Sequence, residues 1–75
     1  MTISELRVGK RARIVEFLSN GAFIERLQEL GLTPGTEVTV VRRAPFSGPM
    51  ELAYGHSRLA LRAAESGSIV VAPVL

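Results

Sequence analysis

Residues 26 to 35 read Arg26-Leu27-Gln28-Glu29-Leu30-Gly31-Leu32-Thr33-Pro34-Gly35, a stretch that turns a helix into a strand and leaves the chain little freedom in between. Just before and within it, Phe23, Leu27 and Leu30 recur at i, i+4 and i+7 with Ile24 beside them, while Glu25, Arg26, Gln28 and Glu29 fall opposite. That period predicts a short amphipathic helix with Phe23, Leu27 and Leu30 turned to the core. Gly31 can take the left-handed conformation just past the helix, so that Leu32 folds back onto Leu27 in a Schellman-type stop. Thr33-Pro34-Gly35-Thr36 then suits a type II turn, in which proline presets the first central residue and glycine takes the positive φ of the second.

Downstream, Thr36 to Arg42 is rich in β-branched residues and reads as a strand, with Val38 and Val40 inward and Glu37, Thr39 and Val41 outward. Pro45-Phe46-Ser47-Gly48-Pro49 is a loop. Met50, Leu52 and Tyr54 alternate with Glu51 and Ala53, and Leu59 and Leu61 alternate with Arg58, Ala60 and Arg62. Gly55-His56 sits between these runs as the turn of a hairpin. Ala63 to Gly67 fits a tight helical turn before a last strand, Ser68 to Ala72, with Ile69 and Val71 inward. Upstream, Lys10 to Phe17 alternates until Val15-Glu16, where a bulge returns Phe17 to the core. A helical turn capped by Ser4 and stopped by Gly9, with Leu6 inward, precedes it. Five strands in tight succession around one helix predict a small closed or nearly closed barrel, an arrangement that hides strand edges.

Seventy-five residues hold one domain, 1–75, of a size at which core burial is marginal. Cysteine is absent, so no disulfide or thiolate metal site can staple the fold, and the 47% hydrophobic content must do so. A cysteine-free chain suits the reducing cytoplasm. The first residues lack the basic start and apolar stretch of a secretory signal, and no apolar run approaches the roughly 20 residues needed to cross a bilayer. The expectation is a soluble cytoplasmic protein without direct membrane insertion.

The chemical inventory excludes most activities. There is one histidine, no cysteine and no aspartate, which removes the familiar nucleophile-and-base constellations. His56 and Ser57 are adjacent and so point apart in extended chain. His56 and the scattered glutamates show no metal-ligand spacing, and the i, i+4 pair Glu25 and Glu29 lacks the further oxygens a hard cation wants. Gly9-Lys10-Arg11 is a turn before a strand, not a phosphate loop. The reading is therefore of a non-enzyme with no cofactor and no metal site. Net charge is +2, eight of the nine bases are arginine, and the pI is near 9.9. Arg11, Arg13, Arg42, Arg43, Arg58 and Arg62 leave nucleic-acid binding as a rival, but only Tyr54 and Phe46 remain as stacking candidates. Protein binding needs only a surface, and arginines with outward Val41 and Val70 and a loop Phe46 supply one.

Leu6 with Gly9, Ala12 and Ile14, the Arg26 to Gly35 stretch, and Val38 and Val40 together resemble the FeoA pattern of ferrous iron transport proteins. Pro45, Pro49, Met50, Leu52 and Tyr54 resemble its middle hairpin, and Leu59-Ala60-Leu61-Arg62, Ala63-Ala64-Glu65 and Ile69-Val70-Val71 resemble its close. The Ser47-Gly48-Pro49 loop departs from relatives, which often carry an acidic residue after that glycine, and Ser19-Asn20-Gly21 is a short approach to the helix. The resemblance implies a mainly β, SH3-like five-stranded barrel with one short α-helix between its first two strands. It implies an accessory role in bacterial ferrous iron uptake through contact with the cytoplasmic part of the FeoB transporter, which carries a GTP-binding domain, and no iron binding by this chain. Arg26, Glu29, Val41 and Arg62 are the candidate partner-binding residues, since they should project from helix and strands without carrying the core. Metal-dependent repressors of the diphtheria toxin repressor type carry a similar C-terminal barrel. The closeness of the first motif to Met1 favours the free-standing accessory over such a detached domain.

Overall fold

The structure is a computed structural model and describes residues 1–74. Five antiparallel strands form one sheet: β1 (Arg11–Phe17), β2 (Glu37–Arg43), β3 (Met50–Tyr54), β4 (Ser57–Leu61) and β5 (Ile69–Pro73), in the order β4-β3-β2-β1-β5. Helix α1 (Ala22–Glu29) joins β1 to β2, and the single turn α2 (Ala63–Ser66) joins β4 to β5. The outer strands β4 and β5 do not pair with each other, so the barrel is left open at that seam. Chain around a 3₁₀ turn (Ile3–Glu5) lies along β5, where Thr2 bridges Val70 and the Val71 amide donates to the Met1 carbonyl at 2.9 Å.

Alternation decides which face is wet. Ala12, Ile14, Val38, Val40, Leu52, Ile69 and Val71 are buried on the inner face, while Arg11, Arg13 and Arg58 stand outside. Two bulges adjust this pattern. One lies between Ile14 and Glu16, where the register against β5 shifts by a residue and Phe17 returns to pack on the core. The other lies between Val40 and Arg42 against β3, and it makes Val41 the extra residue, half-buried and not simply outward.

The helix stop forms as the sequence predicts. The Leu32 amide donates to the Leu27 carbonyl at 2.9 Å and the Gly31 amide to Gln28 at 3.0 Å, with Gly31 at φ 93°. Leu32 is fully buried. The Thr36 amide then closes the turn onto the Thr33 carbonyl at 3.0 Å.

Two expectations change. Leu30 does not enter the core: it is the residue on which α1 ends, its side chain is 44% exposed, and Ile24, Leu27 and Leu32 fill the space beneath the helix. The first helical turn spans Ile3–Glu5, not Ser4 to Gly9, and begins after Thr2, whose amide donates to the Glu5 carboxylate at 3.3 Å. Starting the turn earlier places Ile3 in the core beside Leu6, and Gly9 belongs to a separate turn in which the Lys10 amide donates to the Arg7 carbonyl.

Candidate functional site

Among the described residues no group of three or more histidine, cysteine or acidic side chains converges as a metal site, and no helix is long and apolar enough to cross a membrane. His56 is exposed in the β3–β4 turn. What the molecule offers a partner is surface, and its two ends differ.

One end is built by α1. Phe23, Ile24 and Leu27 pack inward, which turns Glu25, Arg26, Gln28 and Glu29 to solvent. The helix is held against the sheet where the Tyr54 hydroxyl, at the end of β3, donates to the Leu30 carbonyl at 3.0 Å. Candidate residues Arg26 and Glu29 both lie here.

The opposite end is built by the β2–β3 hairpin, the β4–α2 junction and the chain entering β1. Register fixes the neighbours: Arg42 faces Glu51, Arg43 faces Met50, and Met50 faces Leu61. Arg62, next to Leu61, therefore lies at this end, and Val41 lies mid-sheet between the Val40–Leu52 and Arg42–Glu51 pairs. Of the four candidates, Arg26 and Glu29 belong to the helix and Val41 and Arg62 to the sheet and its exit.

The hairpin itself is tightly specified. The Ala44 amide donates to the Pro49 carbonyl at 2.9 Å and the Gly48 amide to the Pro45 carbonyl at 3.2 Å. Phe46 and Ser47 between them hold φ 58° and 60°, the sign required at both central residues of a type I′ turn. Neither is glycine or asparagine, so the turn carries backbone strain of about 1–2 kcal/mol at each. A Cβ on Gly48 would stand 2.6 Å from the Ala44 Cβ, so the return strand passes too close for any side chain there. The result lifts Phe46 to 99% exposure. Beside it runs a cleft of about 390 Å³ between hairpin and α2, lined by Ser4, Arg43, Ser47, Met50, Ala63 and Ser66. A second hollow of about 420 Å³ continues past Gly48 toward Pro49, Leu61 and Arg62.

Ion pairing sorts the arginines. Arg11 and Arg13 both reach Glu37, at 3.3 and 3.7 Å, and Arg58 reaches Glu51 at 3.9 Å. Arg43 donates to the Leu6 carbonyl at 2.7 Å, a neutral partner that fixes its position and leaves its charge unbalanced. Arg42 and Arg62 are exposed and make no ion pair among the described residues. Arg42, Arg43 and Arg62 thus leave positive charge at the hairpin end, while Arg7, Lys10 and Arg26 are likewise exposed and outside these ion pairs. Tyr54 spends its hydroxyl on the helix and is half-buried, so Phe46 alone of the two stacking candidates stands free. The sequence marked Phe46 as a loop residue. The backbone that displays it gave no signal, because Pro45-Phe46-Ser47-Gly48 lacks the central Asn or Gly that announces such a turn.

Known proteins share both sequence and fold with the chain. The FeoA domain family model matches residues 1–73. The chain is 34% identical over 71 residues to the Fe(2+) transport protein A/Fe(2+) transporter FeoB fusion protein of Porphyromonas gingivalis (strain ATCC BAA-308 / W83), a match that covers 95% of this chain and 8% of that protein. The solution structure of FeoA from Chlorobium tepidum superposes with a TM-score of 0.93 at 33% identity, covering all of this chain and 71% of that one. FeoA from Stenotrophomonas maltophilia, solved with zinc and described as a prokaryotic SH3 domain protein, gives 0.84 at 36% identity over 96% of this chain and 89% of its own. A manganese-dependent transcriptional repressor gives 0.85 at 16% identity and covers 41% of its own length, a likeness of fold alone. With a family match across nearly its whole length and an SH3-like fold to accompany it, the chain belongs to the FeoA domain family.

Proposed function

We propose that this protein is a non-enzymatic cytoplasmic accessory of bacterial ferrous iron uptake, acting by direct contact with the cytoplasmic part of a FeoB-type transporter. The observation that carries the reading is the fusion relative, in which a domain similar to nearly all of this chain is one polypeptide with a FeoB transporter. Covalent linkage holds the two at high effective concentration, which is useful where the domain works on the transporter itself. The inventory agrees with this role: the surface carries arginines and one displayed aromatic, the composition of a protein-contact surface.

Arg26, Glu29, Val41 and Arg62 are the contact residues of this reading. Arg26 and Glu29 lie on the helix and Val41 and Arg62 on the sheet and its exit, so paired substitutions, Arg26 with Glu29 and Val41 with Arg62, tell a helix face from a sheet face. The test is a binding titration against the purified transporter, and against its GTP-binding domain, with short DNA and RNA as competitors over a range of salt. Saturable binding to the transporter that nucleic acid does not displace supports the accessory role. Binding to nucleic acid alone, falling steeply with salt, replaces it with the rival barrel function.

A further inference from the structure

The two ends of the molecule are unequal in a way that selects one of them for docking. We propose that the β2–β3 hairpin and the cleft beside it form the transporter-docking surface: Phe46 enters an apolar pocket of the transporter's cytoplasmic part, and Arg42 and Arg62 pair with carboxylates around it. This rests on the accessory reading above and adds the face, the anchor and the chemistry of the partner.

Three observations carry it. Phe46 is 99% exposed, at a position where exposure is held by strained backbone and not by default. Aromatic anchors that fill a partner's pocket dominate many interfaces, and an anchor already fixed in place loses little freedom on binding. The hairpin cannot flatten to hide the ring, because Gly48 and Ala44 are in close approach and two backbone hydrogen bonds clamp the loop at its base. Lastly, Arg42, Arg43 and Arg62 lie around that base and make no ion pair among the described residues, although Glu51 faces Arg42 across the sheet and the Glu65 carboxylate accepts from the Arg62 amide. Arginine's planar fork suits bidentate carboxylate contacts, so the complementary surface is acidic around an apolar pocket.

Two other occupants are weighed against the transporter. A second copy meeting this one about a two-fold axis would bring the arginines of both copies together, and like charges in apposition oppose such a pairing. A bilayer surface also accepts an exposed ring flanked by arginines, and it is the fusion relative that favours the transporter over it, with vesicle binding an arm of the test. A folded partner can fill both pocket and cleft.

The test titrates detergent-solubilised, full-length transporter against the wild-type chain, Phe46→Gly, the pair Arg42→Glu with Arg62→Glu, and the pair Arg26→Ala with Glu29→Ala. Parallel arms measure binding to phosphatidylglycerol-containing vesicles and self-association by sedimentation. Phe46→Gly is expected to weaken transporter binding at least about tenfold, the loss typical of an anchor residue, while its melting temperature holds or rises. The arginine pair is expected to lose affinity most at low salt, and the helix pair to keep wild-type affinity. Wild-type affinity in Phe46→Gly overturns this inference and leaves the accessory reading standing. A wild-type chain that does not bind the transporter at all overturns both. Phe46-dependent binding to vesicles or to a second copy, without binding to transporter, overturns the partner assignment.

Discussion

Tyr54 and Leu30, distant in sequence, meet where the Tyr54 hydroxyl donates to the Leu30 carbonyl at 3.0 Å. The contact ties the last residue of β3 to the end of α1. It also supplies a partner to a carbonyl that the helix leaves without an intrahelical donor. Tyr54→Phe keeps the ring and removes only this bond, which sits at the surface, so the expected cost is about 0.5–1.5 kcal/mol. Denaturant unfolding reads the loss, and faster amide exchange confined to α1 distinguishes a loosened helix from a general weakening.

Leu27 and Leu30 are alike in chemistry and unlike in place. Leu27 is 2% exposed and Leu30 is 44% exposed. Leu27→Ala is expected to cost about 2–5 kcal/mol, while Leu30→Ala stays within about 1 kcal/mol. Equal losses in paired unfolding curves contradict the packing described for α1.

Gly31 closes the helix at φ 93°, and a Cβ there meets the Tyr54 ring at 3.8 Å, an ordinary contact. For a Cβ alone, left-handed strain is therefore the main penalty. Gly31→Val is expected to cost at least about 1–2 kcal/mol, more than Gly31→Asn, since asparagine tolerates the left-handed region. A valine variant with wild-type stability refutes the stop.

Much of this architecture is written in short-range chemistry. Gly31 with Leu32 specifies the helix stop, Pro34-Gly35 specifies the turn after it, and the slipped alternation at Val15 specifies the first bulge. The features that the sequence concealed depend on distant chain. Ile3 is buried because Thr2 bridges Val70 on β5, a pairing that no local pattern around Ile3 reports. Leu30 fits the helical period yet misses the core, because the helix ends on it and Leu32 folds into the space below. The candidate residues were readable as residue types and not as places. Arg26 and Arg62 both read as projecting arginines, but only the folded chain puts Arg26 on the helix tied to Tyr54 and Arg62 past the Met50–Leu61 pair at the other end of β3 and β4, beside Ser47.

Phe46 also yields a prediction of unusual sign. Truncating an aromatic residue ordinarily destabilises, but this ring is 99% exposed and its backbone sits at φ 58°. Phe46→Gly loses almost no packing and relieves left-handed strain, so stability is expected to hold or rise by up to about 1 kcal/mol. Gly48→Ala, at the last residue of the turn, is expected to destabilise, because its new methyl meets Ala44 at 2.6 Å. Thermal melts of the two variants should move in opposite directions or not at all for Phe46→Gly. A clear loss for Phe46→Gly contradicts the description of the hairpin.

The accessory role is tested most directly by ferrous iron uptake into proteoliposomes that carry the transporter, with this protein added in increasing amounts to the transporter's cytoplasmic side. The account predicts that the uptake rate changes with added protein and saturates, and that the pair Arg42→Glu with Arg62→Glu shifts the response to higher concentration. An uptake rate that is identical at every concentration, with protein shown to be folded, contradicts it.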